Sequence, residues 1–187
     1  GADEMQSGTI EINGHLAKIG SPEDAVAHGL GYLSEDRKRY GLALGLPVKD
    51  NVVLATYDQF DRGPFVNFGK VAEETTKYVN RLNIKTPSIE QLVRNLSGGN
   101  QQKVVLAKWL IRNSDILIID EPTRGIDVGA KSEIYTLMNE LAAQGKSIIM
   151  ISSELPEILR MSDRIVVMCE GRITGELLIG EASQDRI

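Results

Sequence analysis

Two adjacent carboxylates, Asp120 and Glu121, close the apolar run Ile116-Leu117-Ile118-Ile119 and stand directly before Pro122. Such a run reads as a buried strand of a parallel sheet, and ligands of parallel sheets gather at the C-terminal ends of their strands. Asp120 is placed there to hold Mg²⁺, directly or through water. Glu121 can position and deprotonate an attacking water, given an acceptor within hydrogen-bond reach. An isolated acidic pair would merely solvate a strand end. The second segment is Leu96-Ser97-Gly98-Gly99-Asn100-Gln101-Gln102-Lys103, which leads into the helical run Val104–Leu110. A hydroxyl, two glycines and the free N–H groups of a helix start form an anion site. Taken alone, Ser97 is equally a helix cap and Gly98-Gly99 a turn.

The elements that must position these residues follow from periodicity. Residues 9–12 and 15–19 alternate around Asn13-Gly14, a strong hairpin signal. Ser21 caps a short helix over Pro22–His28, and Leu30–Leu33 is a short strand. Ser34–Pro47 reads as loop. From Val48 to Leu110 no strand is expected: Val71, Thr75, Tyr78, Val79 and Leu82 fall at helical spacing, and Leu92, Val93 and Leu96 suggest another turn or two. After Asn113 the pattern becomes strand (Ile116–Ile119), helix (Ala130–Ala143), strand (Ser147–Ile151), helix (Leu155–Met161) and a strand pair around Glu170-Gly171. The expectation is an α/β fold whose parallel sheet is covered on both faces, with an antiparallel hairpin and a helical lobe.

Composition narrows the chemistry. The 187 residues are 42% hydrophobic and 25% charged, which excludes a disordered chain. Twenty-one Lys+Arg against 26 Asp+Glu leave a charge of −5, which argues against nucleic acid as a partner. The single cysteine, Cys169, lies in an apolar run and reads as a small buried residue. No apolar run is long enough to span a bilayer, and the first residues carry no targeting pattern. The two histidines, His15 and His28, fall in the opening hairpin and short helix, away from the carboxylates, so neither metal clusters nor histidine catalysis is expected.

Together the two segments resemble the ATPase family of ABC transporters, whose signature is LSGGQ and whose Walker B is four apolar residues followed by Asp-Glu. The signature here is Leu96–Asn100. Asp127, in Thr123-Arg124-Gly125-Ile126-Asp127, stands at the D-loop aspartate, and Asp163-Arg164-Ile165 and Glu170-Gly171-Arg172-Ile173 match later landmarks. Ser34–Leu42, the NQQK after the signature and Pro122–Gly125 resemble the C-terminal cassette of double-cassette monosaccharide importers of the ribose and galactose type.

The resemblance implies a P-loop NTPase-like parallel sheet core over residues 1–47 and 111–187, a helical signature subdomain over 48–110, and ATP with Mg²⁺ as cofactors. It implies as partners the N-terminal cassette of the same polypeptide and transmembrane permease subunits. The protein would then be peripheral, at the cytoplasmic face of the inner membrane. No G-x-x-x-x-G-K-[ST] occurs, so the core is expected to be incomplete and truncated at its N-terminus, and the isolated chain inactive. Glu35 occupies the Q-loop glutamine position and Ser153 that of the switch histidine. By the resemblance, Ser97, Gly98, Gly99 and Asn100 serve ATP bound to the other cassette, whereas Asp120, Glu121, Glu35 and Ser153 face a second, degenerate site. A non-transport ABC ATPase of repair or translation and a non-catalytic interaction domain are the alternative readings. An unpaired sheet edge where the P-loop strand belongs would favour self-association.

Overall fold

The computed structural model describes residues 1–62 and 65–187. Strands β1 (Ile10–Ile12) and β2 (His15–Ala17) pair antiparallel, with both turn residues left-handed (Asn13 φ 53°, Gly14 φ 76°), the geometry a tight hairpin demands. Helix α1 (Pro22–Ala27) starts at Ser21, whose Oγ accepts the Asp24 N–H at 3.1 Å. Strand β3 (Leu30–Leu33) follows, then a π-helical turn at Arg37–Gly41 inside the expected loop.

Helix α2 (Val48–Val53) opens the helical lobe, and its buried Asn51 stitches the preceding loop, accepting from Ala43 N at 2.7 Å and donating to Ala43 O and Pro47 O, each at 3.0 Å. A minimal ladder of β4 (Asp61–Arg62) and β5 (Phe65–Val66) interrupts the lobe, contrary to the expectation of no strand. Two-residue strands are too short to carry a period-two signal. Helix α3 (Phe68–Arg81), a 3₁₀ turn at Val93–Asn95 and helix α4 (Gly98–Ile111) complete it.

The C-terminal part runs β6 (Ile116–Asp120), α5 (Val128–Ala143), β7 (Ser147–Ile151), α6 (Leu155–Met161) and the antiparallel pair β8 (Arg164–Cys169) and β9 (Arg172–Leu178). β3, β6 and β7 form a parallel sheet in the order β3-β6-β7, aligning Leu33 with Ile119 and Asp120 with Ile151. One core joins this sheet to the lobe: Leu33, Leu117 and Ile119 pack with Val104 and Leu106 of α4, Ile134 and Leu141 of α5, and Val48 and Val52 of α2.

That core covers one sheet face only. On the other, Tyr32, Ile149 and Ile151 are 50%, 53% and 48% exposed. The expectation of two covered faces fails here: β6 and β7 are apolar on both faces, but α4 and α5 lie on the same side. Cys169 is exposed rather than buried, because it ends β8 in a hairpin whose outward residues face solvent.

Helix α4 carries a buried cation. Lys108 Nζ donates to Gly41 O at 2.8 Å, and burial pulls its pKa down to about 8. Between about 8 and the ordinary lysine value of 10.5 the unfolded chain holds a proton that the folded chain lacks, so stability rises with pH through this window. Relative to Lys108→Met, the wild type should gain about 2 kcal/mol in urea unfolding between pH ~7 and ~9.5. A pH-independent difference would mean the ammonium is not desolvated.

The open face yields a second expectation. Apolar strands bare on one side, with β7 at the sheet edge, favour pairing with a second copy. Light scattering on a dilution series should show reversible dimerisation that Ile149→Lys suppresses. A monomer at all concentrations would refute it.

Candidate functional site

The first turn of α4 is a helix start without a side-chain cap. Ser97 sits at the capping position, but its Oγ accepts from Asn100 Nδ2 at 2.9 Å rather than from a backbone N–H. Asn100 is held in turn by Lys85 N, which donates to its Oδ1 at 2.8 Å. The plain reading of Ser97 as a cap is therefore corrected: the N–H groups of the first turn are left for an outside acceptor, and an anion is what such a turn attracts.

Gly98 and Gly99 each have a packing reason. A Cβ at Gly98 would lie 2.7 Å from Arg37 Nη2 and 2.9 Å from Gly125 O. One at Gly99 would lie 2.9 Å from the Ala130 methyl. The glycines thus let α4 begin flush against the Arg124–Asp127 loop and α5. Asp127 itself caps α5, accepting Ala130 N at 2.9 Å.

The second group lies at the C-terminal ends of β6 and β7. Asp120 Oδ2 accepts from the Tyr32 hydroxyl at 2.9 Å across the β3–β6 register. Partial burial and then this carboxylate raise the Tyr32 pKa. Glu121 is left-handed (φ 48°), a strained conformation for a side-chain-bearing residue. Its N–H donates to Ile151 O and its Oε1 accepts from Ser153 N, each at 2.8 Å, so the carboxylate folds over the end of β7. Glu35 pairs with Arg124.

The structure therefore gathers Asp120, Glu121 and Ser153 at one sheet end, Ser97 to Asn100 with Asp127 at α4 and α5, and Glu35 between the two through Arg124. Asp120 is not part of any group of three or more potential metal ligands among the described residues. A single carboxylate with one oxygen free suits Mg²⁺, which keeps several waters and takes phosphate oxygens as further ligands.

Three residues of this region escape sequence reasoning. Tyr32 reaches Asp120 only through strand register. Arg37 donates from Nη1 to Arg124 O at 3.0 Å. Glu157, 3% exposed, accepts from Thr123 Oγ1 at 3.0 Å and from Ser152 Oγ, tying the loop after β6 to the end of β7. In sequence Glu157 is an ordinary first-turn acid of α6, and nothing local signals its burial.

The ABC transporter family profile matches residues 1–124. The chain belongs to the ABC transporter family. A ribose/galactose/methyl galactoside import ATP-binding protein of Burkholderia ambifaria is 58% identical over 188 residues, covering 100% of this chain and 37% of the relative. A xylose import ATP-binding protein of Thermoanaerobacter pseudethanolicus is 56% identical over 182 residues, 97% of this chain and 36% of the relative. The chain thus spans little more than a third of these relatives' length. Among solved structures, a dimeric ATP-binding cassette in a post-hydrolysis state bound to ADP and Pi superposes with TM-score 0.76 at 20% identity, over 95% of this chain and 75% of that one. A second ATP-binding cassette of an ABC transporter gives TM-score 0.77 at 19% identity, over 94% and 72%. These likenesses establish the ABC ATPase fold.

The packing at Gly99 is testable. Two methyl carbons fixed to helix backbones cannot rotate apart, so Gly99→Ala should cost about 1–3 kcal/mol of stability as α4 and α5 are pushed apart. Adding Ala130→Gly should recover part of that loss, a coupling read from urea midpoints in a double-mutant cycle. Strict additivity would show that the two helices do not meet there.

Proposed function

We propose that this chain is the C-terminal nucleotide-binding cassette of a double-cassette sugar importer, and that it supplies a signature loop to ATP held by the N-terminal cassette. The observation that carries the reading is the uncapped first turn of α4, packed from behind by Arg37, Gly125 and Ala130. Ser97 Oγ and the N–H groups of the turn would bind and orient the terminal phosphate, with donors fixed before charge develops on it. The helical signature subdomain is 48–110, and 1–47 with 111–187 is the core around it. Permease subunits would hold the protein at the cytoplasmic face of the inner membrane, since no described helix is long and apolar enough to cross one.

The second site is assigned to binding rather than turnover. Asp120 would hold Mg²⁺, which supplies charge neutralisation for the phosphates of ATP. Glu121 would hold a water, with Glu35 and Ser153 in place of the family's glutamine and histidine. Losing a general acid/base partner costs typically ~10²–10⁴ in rate. Residues 1–187 contain no glycine-rich phosphate loop, so this chain by itself is expected neither to hydrolyse ATP nor to bind it at micromolar affinity.

The inequality of the two sites is the test. In the full-length protein with its permease, Ser97→Trp should lower ATP hydrolysis by about 10²–10³-fold, the scale of one lost preorganised donor. Glu121→Gln should be much milder. Equal loss in both variants would overturn the assignment of sites.

A further inference from the structure

We propose that Arg37 is a positioning residue for the signature loop, holding it and the Arg124–Gly125 turn in one fixed arrangement; the inference rests on the reading that Ser97 to Asn100 receive a phosphate. Arg37 comes from the π-helical turn after β3, remote in sequence from both loops. Its guanidinium nonetheless lies between them. Nη1 donates to the Arg124 carbonyl at 3.0 Å, and Nη2 occupies the space that a side chain at Gly98 would need, 2.7 Å from the Cβ position. The Gly125 carbonyl closes the same space at 2.9 Å, and Gly125 itself is left-handed (φ 66°).

Chemistry requires arginine here. A planar fork reaches one carbonyl with one nitrogen while the other presses on the glycine, and a lysine ammonium offers a single point of contact. Arg37 Nε is buried without a hydrogen-bond partner among the described residues. An unpaired buried donor costs free energy, which other interactions of the fold must offset. The guanidinium also places fixed positive charge directly behind the first turn of α4, where it adds to the helix-start field that draws an anion. Burial pulls the Arg37 pKa below the ordinary arginine value, yet a guanidinium stays charged at neutral pH.

The same stretch grips Arg124 twice. Arg37 holds its carbonyl, and Glu35, two residues earlier, pairs with its guanidinium. The turn that leads to Asp127 is thereby tied to the segment that follows β3, and the signature turn is clamped between them.

The experiment uses the full-length protein with its permease, measuring kcat and KM for ATP together with amide hydrogen exchange. A 1 Å misplacement of a positioned group can cost about 10²-fold, so Arg37→Met should lower kcat on that order while KM moves less than about threefold. Exchange should speed up at residues 98–101 and 124–127 and stay unchanged at 116–119. Arg37→Lys should restore only part of kcat. A kcat for Arg37→Met within about threefold of wild type, or unaltered exchange at 98–101, overturns the proposal. If Arg37→Met fails to fold, Arg37→Lys and Arg37→Gln are judged by the same two readouts. Should Ser97→Trp also prove silent in that preparation, the phosphate reading itself falls, and exchange at 98–101 alone decides whether Arg37 holds the loop.

Discussion

Everything in this chain is arranged around a helix that is buried along nearly its whole length. α4 touches the sheet, α5 and the lobe helices at once, so several of its polar groups are bonded inside: Lys103 Nζ bonds Asn83 O at 3.0 Å and Glu133 at 2.7 Å, and Gln101 Nε2 reaches Val93 O and Leu96 O, both at 3.2 Å, whereas Gln101 Oε1 and Trp109 Nε1 are buried without a partner among the described residues. Backbone N–H groups of a helix are satisfied from the fifth residue onward, which leaves those of the first turn without an intrahelical partner.

The close fit at the turn follows from the same constraint. For α4 to start within the core, the loops beside it must come to backbone distance, and glycine at 98 and 99 permits this. Arg37, Gly125 and Ala130 then fill the space behind the helix, so no side chain of α4 competes for its own N–H groups. The same two glycines also leave the other side of the turn free of a side chain.

Long apolar or strongly patterned segments were legible in the sequence, and contacts between segments were not. β6, β7 and α6 lie where periodicity puts them, and α5 begins two residues ahead of Ala130 because Asp127 caps it. The β4–β5 ladder is too short for any pattern, and the one-sided cover of the sheet depends on where helices cross, which strand composition does not encode. Tyr32, Arg37 and Glu157 became visible only when register and packing brought them to Asp120, Arg124 and Thr123. Motif residues announce themselves by type and spacing, whereas the residues that hold them belong to other elements and look ordinary.

Polar satisfaction also separates the two candidate sites. At the ends of β6 and β7 both carboxylates are engaged by their own chain: Asp120 receives the Tyr32 hydroxyl and Glu121 the Ser153 N–H. Turning Glu121 toward a water would break that bond while its backbone stays in a left-handed conformation costing of order 1–3 kcal/mol. At α4 the balance is reversed, because the serine that could cap the turn is occupied by Asn100. A group already bonded must give something up before it meets a ligand, whereas an unbonded donor in a rigid frame gains from the first acceptor that arrives. That difference favours an outside acceptor at the first turn of α4 over chemistry at Glu121, and it arises within this chain's own hydrogen bonds.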